Sequence, residues 1–230
     1  MATKKQPKKR APIEVTPSMP PVLASEADCF AFLASLKGAR LQGCLTDLPY
    51  PTLERHRARG TTTRLASSDK SSNPWFGTLT IPQLADALAG VYDALDTNAY
   101  AFVYVDDATA LLLAHELGVA SALGALTYKA TSEAPRDRIG FAWWNPGTWV
   151  KTSIDKAGVQ KLRGGMGYHG VATTERILIL EKGKSQLHER FLNAFCAPRP
   201  KRKPPGATLQ GATAKPIEIA EVLARAMSAP

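Results

Sequence analysis

Residues 99–105 read Ala-Tyr-Ala-Phe-Val-Tyr-Val, an unbroken apolar run ended by Asp106 and Asp107. A strand that is apolar on both sides must be covered on both faces. The run therefore asks for a sheet sandwiched between helices, and the flanking sequence supplies them. Pro82 opens a helix whose Leu84, Leu88, Val91 and Leu95 share one face. Asp106 and Asp107 cap another that extends to about residue 118 through Leu111, Ala114 and Leu117. Residues 39–45, 138–144 and 175–182 read as further strands, and Pro216 begins a last helix carrying Ile217, Ala220, Leu223 and Met227. An earlier helix starts near Ser25 and Asp28, a capping-box spacing, continues through Phe30, Leu33 and Leu36, and can stop at Gly38. Strands alternating with helices predict an α/β fold on a largely parallel sheet with helices on both faces.

With 230 residues, 44% hydrophobic and 21% charged, the chain can bury a sizeable core. No apolar run approaches the roughly 20 residues of a membrane helix, and the amino terminus lacks the apolar stretch of a secretory signal. The expectation is a cytoplasmic protein without a membrane partner. Cys29, Cys44 and Cys196 form no C-x-x-C pair, which argues against a disulfide framework and a zinc site.

Charge is unevenly distributed. Lys and Arg number 29 against 20 Asp and Glu, a net charge of +9. The excess is carried by Lys4, Lys5, Lys8, Lys9 and Arg10 and by Arg199, Lys201, Arg202 and Lys203; without them the rest is balanced. Residues 1–24 read as a disordered basic arm, residues 25–230 as the folded body, and residues 196–214 as a basic Pro/Gly-rich linker. Clustered positive charge that cannot enter a core suits a polyanion-binding tail, with a solubilising tail or a localisation signal as the alternative. Residues 54–74, rich in Thr, Ser and Arg without apolar period, read as a mobile loop.

Several motifs fail on context. Gly165 to Gly170 spells G-x-G-x-x-G, but a strand follows it where a dinucleotide fingerprint needs a helix. Gly183-Lys184-Ser185 resembles the end of a P-loop, yet Leu178 stands where the first glycine belongs. His56, His115, His169 and His188 have no metal-ligand spacing.

Asp47-Leu48-Pro49-Tyr50, at the end of a strand, resembles the D-P-P-Y motif of the DNA amino-methyltransferases. Ala27 to Leu36 is similar to that family's G-D-x-L-x-x-L segment. Residues 50–57 and 60–64 resemble a phage and bacterial subgroup, as do Gly165 to His169 and the E-x-I-L-x-x-x-K-G-K run of residues 175–184. Thr213-Ala214-Lys215-Pro216 looks like the family's T-x-K-P. The resemblance covers roughly residues 25–227 in the order of the permuted class.

This resemblance implies a Rossmann-like methyltransferase sheet, S-adenosylmethionine as cofactor and DNA as partner, with adenine or cytosine amino nitrogens as targets. It implies catalytic roles for Asp47, Leu48, Pro49 and Tyr50, and cofactor contacts for Asp28, Thr213 and Lys215. It places Arg55, Arg57, Arg64, Tyr168 and His169 on DNA. The aromatic residues Trp75, Phe76, Trp143, Trp144 and Trp149 are further candidates for that face, although most of them are expected to serve packing. An exocyclic amino nitrogen is a poor nucleophile because its lone pair is delocalised into the ring. Two acceptors that bind both of its hydrogens, the Asp47 carboxylate and the Leu48 carbonyl, would free that pair, while Tyr50 stacks on an everted base. Leu48 replaces the commoner Pro, which keeps the carbonyl and loses rigidity. The family's D-P-F-x-G-S-G strand is not found, so the cofactor-half strands are expected to be missing from this sheet or supplied by a second polypeptide. A DNA-binding remnant or subunit without activity is the alternative, and an RNA substrate a third reading.

Overall fold

The computed structural model describes residues 28–52, 78–119, 134–154, 157–158, 160–162, 174–184, 187, 189–198 and 215–227. In chain order the elements are α1 (Cys29–Ser35), β1 (Leu41–Thr46), α2 (Ile81–Ala94), β2 (Leu95–Val105) and α3 (Asp107–Glu116). They are followed by β3 (Ala142–Ile154), β4 (Gln160–Leu162), β5 (Thr174–Lys182), β6 (Ala194–Pro198) and α4 (Ile217–Met227). The fold is α/β, as the sequence predicts. The arm at 1–24 and the loop at 54–74 lie outside the described residues. So do residues 199–214 of the expected linker, whereas residues 196–198 form the end of β6.

β2 organises the sheet by dividing its side chains between two cores. Ala99, Ala101, Val103 and Val105 point into one, shared with Leu84, Leu88 and Val91 of α2, Leu113 of α3 and Leu178 and Leu180 of β5. Tyr100, Phe102 and Tyr104 point into the other, with Trp149, Ile177 and Ile179 and with Ile219 and Leu223 of α4. Small and β-branched residues thus lie under the helix pair, and the aromatic rings lie under α4. This alternation is the period-2 geometry of a strand buried on both faces.

The sheet is mixed, not largely parallel. Its order is β1-β2-β5-β3-β4, with β6 also pairing β3. β1–β2 and β3–β6 are parallel, while β2–β5, β5–β3 and β3–β4 are antiparallel. A parallel neighbour needs a crossover of a dozen or more residues, and α2 supplies one between β1 and β2. β3 and β4 are separated by only five residues, which suits an antiparallel return. An apolar run such as 99–105 looks the same in either case once helices cover both faces. Among the described residues no strand pairs with the outer edge of β1.

Local signals explain the element ends. Asp28 caps α1, its Oδ1 accepting from the Phe30 and Ala31 N–H groups, while Ser25 lies outside the described residues. Thr80 and Gln83 form a reciprocal capping box before Pro82 in α2. Asp106 Oδ1 accepts from the Thr109 N–H to cap α3. The strand expected at 138–144 begins only at Ala142 and runs on to Ile154. Asp137 causes the delay: its Oδ1 gathers the N–H groups of Ile139, Gly140 and Phe141 into a turn, and its Oδ2 accepts from Trp143 Nε1. The ladder to β5 then shifts register between Trp144 and Gly147, where Pro146 has no N–H to offer.

Gly183 turns the chain at the end of β5 with φ +79°, and a Cβ there would lie 2.0 Å from the Thr97 carbonyl oxygen. Gly118 has φ +80° but open space around it. Gly118→Ala should therefore cost about 1–2 kcal/mol from backbone conformation alone. Gly183→Ala should cost visibly more, because backbone must also move. Thermal melts of the two variants side by side check the difference.

Candidate functional site

The Asp47–Tyr50 turn leaves the C-terminal end of β1, and three anchors hold it. The Leu48 side chain is buried in the α2-side core, although its backbone stands in a turn. The Leu79 N–H donates to the Pro49 carbonyl at 2.7 Å, tying the turn to the approach of α2. Thr52 Oγ1 donates to Asp106 Oδ2, joining the turn to the cap of α3. Apolar anchoring through Leu48 thus compensates for the rigidity that a proline would supply at that position. Tyr50 is half-buried and packs against the same core.

On the α4 side of the sheet, alternation brings four strands to one place. Leu45 ↔ Phe102 is the last aligned pair of that face on β1 and β2, which puts Asp47 beside Tyr104. Tyr104 pairs with Ile177, and Glu175, two residues back on β5, pairs with Trp149 of β3. The chain entering α4 then lays Lys215 across this row. Its Nζ lies 3.1 Å from Asp47 Oδ2 and 2.7 Å from Glu175 Oε2, and 5.1 Å from the centre of the Tyr104 ring. Lys151 of β3 closes the row at 2.8 Å from Glu175 Oε1. The result is an alternating line of charge, Lys151–Glu175–Lys215–Asp47. The three inner side chains are only 10–15% exposed, while Asp47, at the open end, is 32% exposed.

The two carboxylates respond oppositely. Desolvation pushes the Asp47 carboxyl above its ordinary range, opposed by the adjacent Lys215 and reinforced by the Glu175 charge. Glu175 also resists burial, but Lys215 and Lys151 together hold it below its usual 4.5. Burial and the charges of Glu175, Asp47 and Asp106 push the Tyr50 phenol well up, so it stays neutral at physiological pH. The Tyr104 hydroxyl, raised by burial and by the Glu175 and Asp47 charges, has no hydrogen-bond partner among the described residues.

Asp47 Oδ2 is engaged, whereas no hydrogen bond or ion pair reaches Asp47 Oδ1 or the Leu48 carbonyl from the described residues. The turn therefore presents two adjacent acceptors and an aromatic ring. That arrangement can receive a group with two N–H donors on a flat ring.

The other expected site residues fall in several places. Lys215, expected at a cofactor, lies against Asp47. Asp28 uses one oxygen to cap α1, and no described residue engages the other. Thr213, Arg55, Arg57, Arg64, Tyr168 and His169 lie outside the described residues, as do Trp75 and Phe76. Trp149 is buried and donates through Nε1 to the Ala197 carbonyl. Trp143 is half-buried on Asp137, and Trp144 is exposed, with its Nε1 donating to Glu181. Trp144 lines a cavity of about 540 Å³ with Arg136 and Lys184. Glu175 and Lys151 were not singled out from the sequence. Their signal was there, since each is a charged residue at an inward-facing position of a strand. The three cysteines are free thiols, and burial pushes Cys44 up to about 11. Among the described residues no cluster could hold a metal ion, and no helix is long and apolar enough to cross a membrane.

No family model matches the chain, and no curated protein matches it. Among solved structures, it is similar to one described as the crystal structure of the M1.HpyAVI-SAM complex. The identity is 14% and the TM-score 0.48, with 86% of this chain and 72% of that one covered.

Replacing Glu175 by Gln strips the nearly buried Lys151 ammonium of its carboxylate and leaves Lys215 with that of Asp47 alone among the described residues. The unfolding free energy should fall by about 3 kcal/mol at neutral pH. Because the folded state lowers the Glu175 pKa, its stabilisation is present above 4.5 and is lost as pH falls through the folded-state value. Wild type should lose stability in that acid window, and the variant should show a flatter dependence in urea titrations across it.

Proposed function

We propose that this chain is a methyltransferase acting on an exocyclic amino group of adenine or cytosine in DNA, with S-adenosylmethionine as the methyl donor. The observation that carries the reading is the pair of acceptors that no described residue engages, Asp47 Oδ1 and the Leu48 carbonyl, on consecutive residues of the turn that also carries Tyr50. The resemblance of Asp47-Leu48-Pro49-Tyr50 and its flanking segments to the amino-methyltransferases supports it.

The chain's own contribution is positional and electrostatic. Asp47 and the Leu48 carbonyl would accept the two amino hydrogens and draw the nitrogen toward tetrahedral geometry. The neutral Tyr50 ring would lie on the face of the everted base. Three tethers, through Leu48, Pro49 and Thr52, keep the acceptors and the ring in register. S-adenosylmethionine supplies an electrophilic methyl group. Of the residues assigned to it, Asp28 keeps one carboxylate oxygen that no described residue engages, and Lys215 is committed to its two carboxylates. The basic clusters at residues 4–10 and 199–203 would bind phosphates in a salt-dependent manner.

Purified full-length protein should transfer label from S-adenosylmethionine to DNA. Asp47→Ala should reduce kcat at least about 100-fold, the usual cost of removing a preorganised transition-state contact. Tyr50→Ala should weaken the reaction by about 1–3 kcal/mol in kcat/KM through lost stacking. Salt-sensitive DNA binding without transfer would instead identify a DNA-binding protein lacking this activity.

A further inference from the structure

We propose that Lys215 is a positioning residue, its ammonium holding the Asp47 carboxylate anionic and tying down Oδ2, so that Oδ1 remains the acceptor for a substrate amino group. Only that last step rests on the methyltransferase reading; the electrostatic role stands on the geometry of the row.

Asp47 sits where an ionised carboxylate is costly, at a sheet end against buried apolar residues. The groups facing it are Lys215 at the start of α4, Glu175 on β5, Tyr104 on β2 and Tyr50 in its own turn. Two of these are neutral phenols and one is a second carboxylate. Lys215 is thus the cation in direct contact with Asp47 among the described residues, because Lys151 reaches only Glu175. A protonated Asp47 would offer an O–H where an acceptor is required, and repulsion from Glu175 favours that form. Lys215 opposes it at 3.1 Å.

Its own placement is well determined. Glu175 holds the ammonium from the far side at 2.7 Å, and the Tyr104 and Trp149 rings lie 5.1 and 6.0 Å from Nζ. Just beyond Lys215, Pro216 is buried and its carbonyl accepts from the Ala220 N–H, so the first turn of α4 fixes the base of the side chain. α4 itself is fixed by Ile219, Leu223 and Ala226, all buried against the sheet. A tertiary contact from the chain entering α4 therefore sets the protonation state of a residue in the turn that follows β1.

The test is a carbon-detected NMR titration of the Asp47 carboxyl in the isotopically labelled full chain, assigned with Asp47→Asn. Lys215→Met keeps the apolar stem over Tyr104 and removes the charge. The Asp47 midpoint should rise by about one to three pH units, and Lys215→Arg should return it close to wild type. An unchanged or lower midpoint in Lys215→Met overturns the proposal. The wild type gives a reading that needs no variant: the Lys215 ¹⁵Nζ resonance should shift through the Asp47 midpoint. A resonance indifferent to that titration also overturns it. In the methyl-transfer assay, the acid limb of kcat should move upward with the NMR midpoint in Lys215→Met and return in Lys215→Arg. If the midpoint moves while wild type transfers no methyl group, the methyltransferase reading fails and the electrostatic role stands.

Discussion

The two-sided burial of β2 is the constraint from which the rest follows. Every residue from Ala99 to Val105 is buried, and alternation sends the small side chains toward α2 and α3 and the aromatic ones toward α4. A strand used this way cannot lie at an edge of the sheet. It needs a neighbour on each side, and β1 and β5 take those places. It also needs cover on both faces, which fixes where the helices stand. The end of β2 consequently becomes a crossing point: β1 delivers the Asp47 turn, β5 delivers Glu175, and the entry to α4 delivers Lys215.

The charged row uses the same alternation for a different end. Asp47, Glu175, Trp149 and Lys151 all occupy the face that carries Tyr104, and on that face the apolar core runs out toward the strand ends. Single charges there would be strongly disfavoured by burial. Placed in alternating order, each inner member has an opposite charge within hydrogen-bonding distance on at least one side. The open end of the line is the exception, since among the described residues Asp47 has one cationic partner and one oxygen left unengaged. Desolvation and the nearby carboxylate make it the least satisfied member, which is the condition expected of a group kept for a ligand.

Leu48 shows how local chemistry can shift from one support to another. A proline at this position would stiffen the backbone directly. Leu48 instead sinks its side chain into the core while its carbonyl remains available in the turn, and the Leu79–Pro49 and Thr52–Asp106 hydrogen bonds do the rest. The substitution removes a conformational restraint and adds a packing one.

The helices, the central strand and the turn at Asp47 are all legible in the chain, because caps, periodicity and apolar runs act over a few residues. Thr80 with Gln83, Asp106 before α3 and the run at 99–105 are all of this kind. Strand direction and full extent were not legible, since antiparallel and parallel strands covered by helices share one pattern, and a proline-glycine bulge in β3 looks like a strand end. The turn of Asp137, which delays β3, depends on a side chain collecting N–H groups from residues ahead of it. Above all, only the tertiary structure joined Lys215 to Asp47, 168 positions apart in the chain. Such a contact depends on register across four strands and on how α4 settles on the sheet. Both are set by long-range packing, for which no local signal exists.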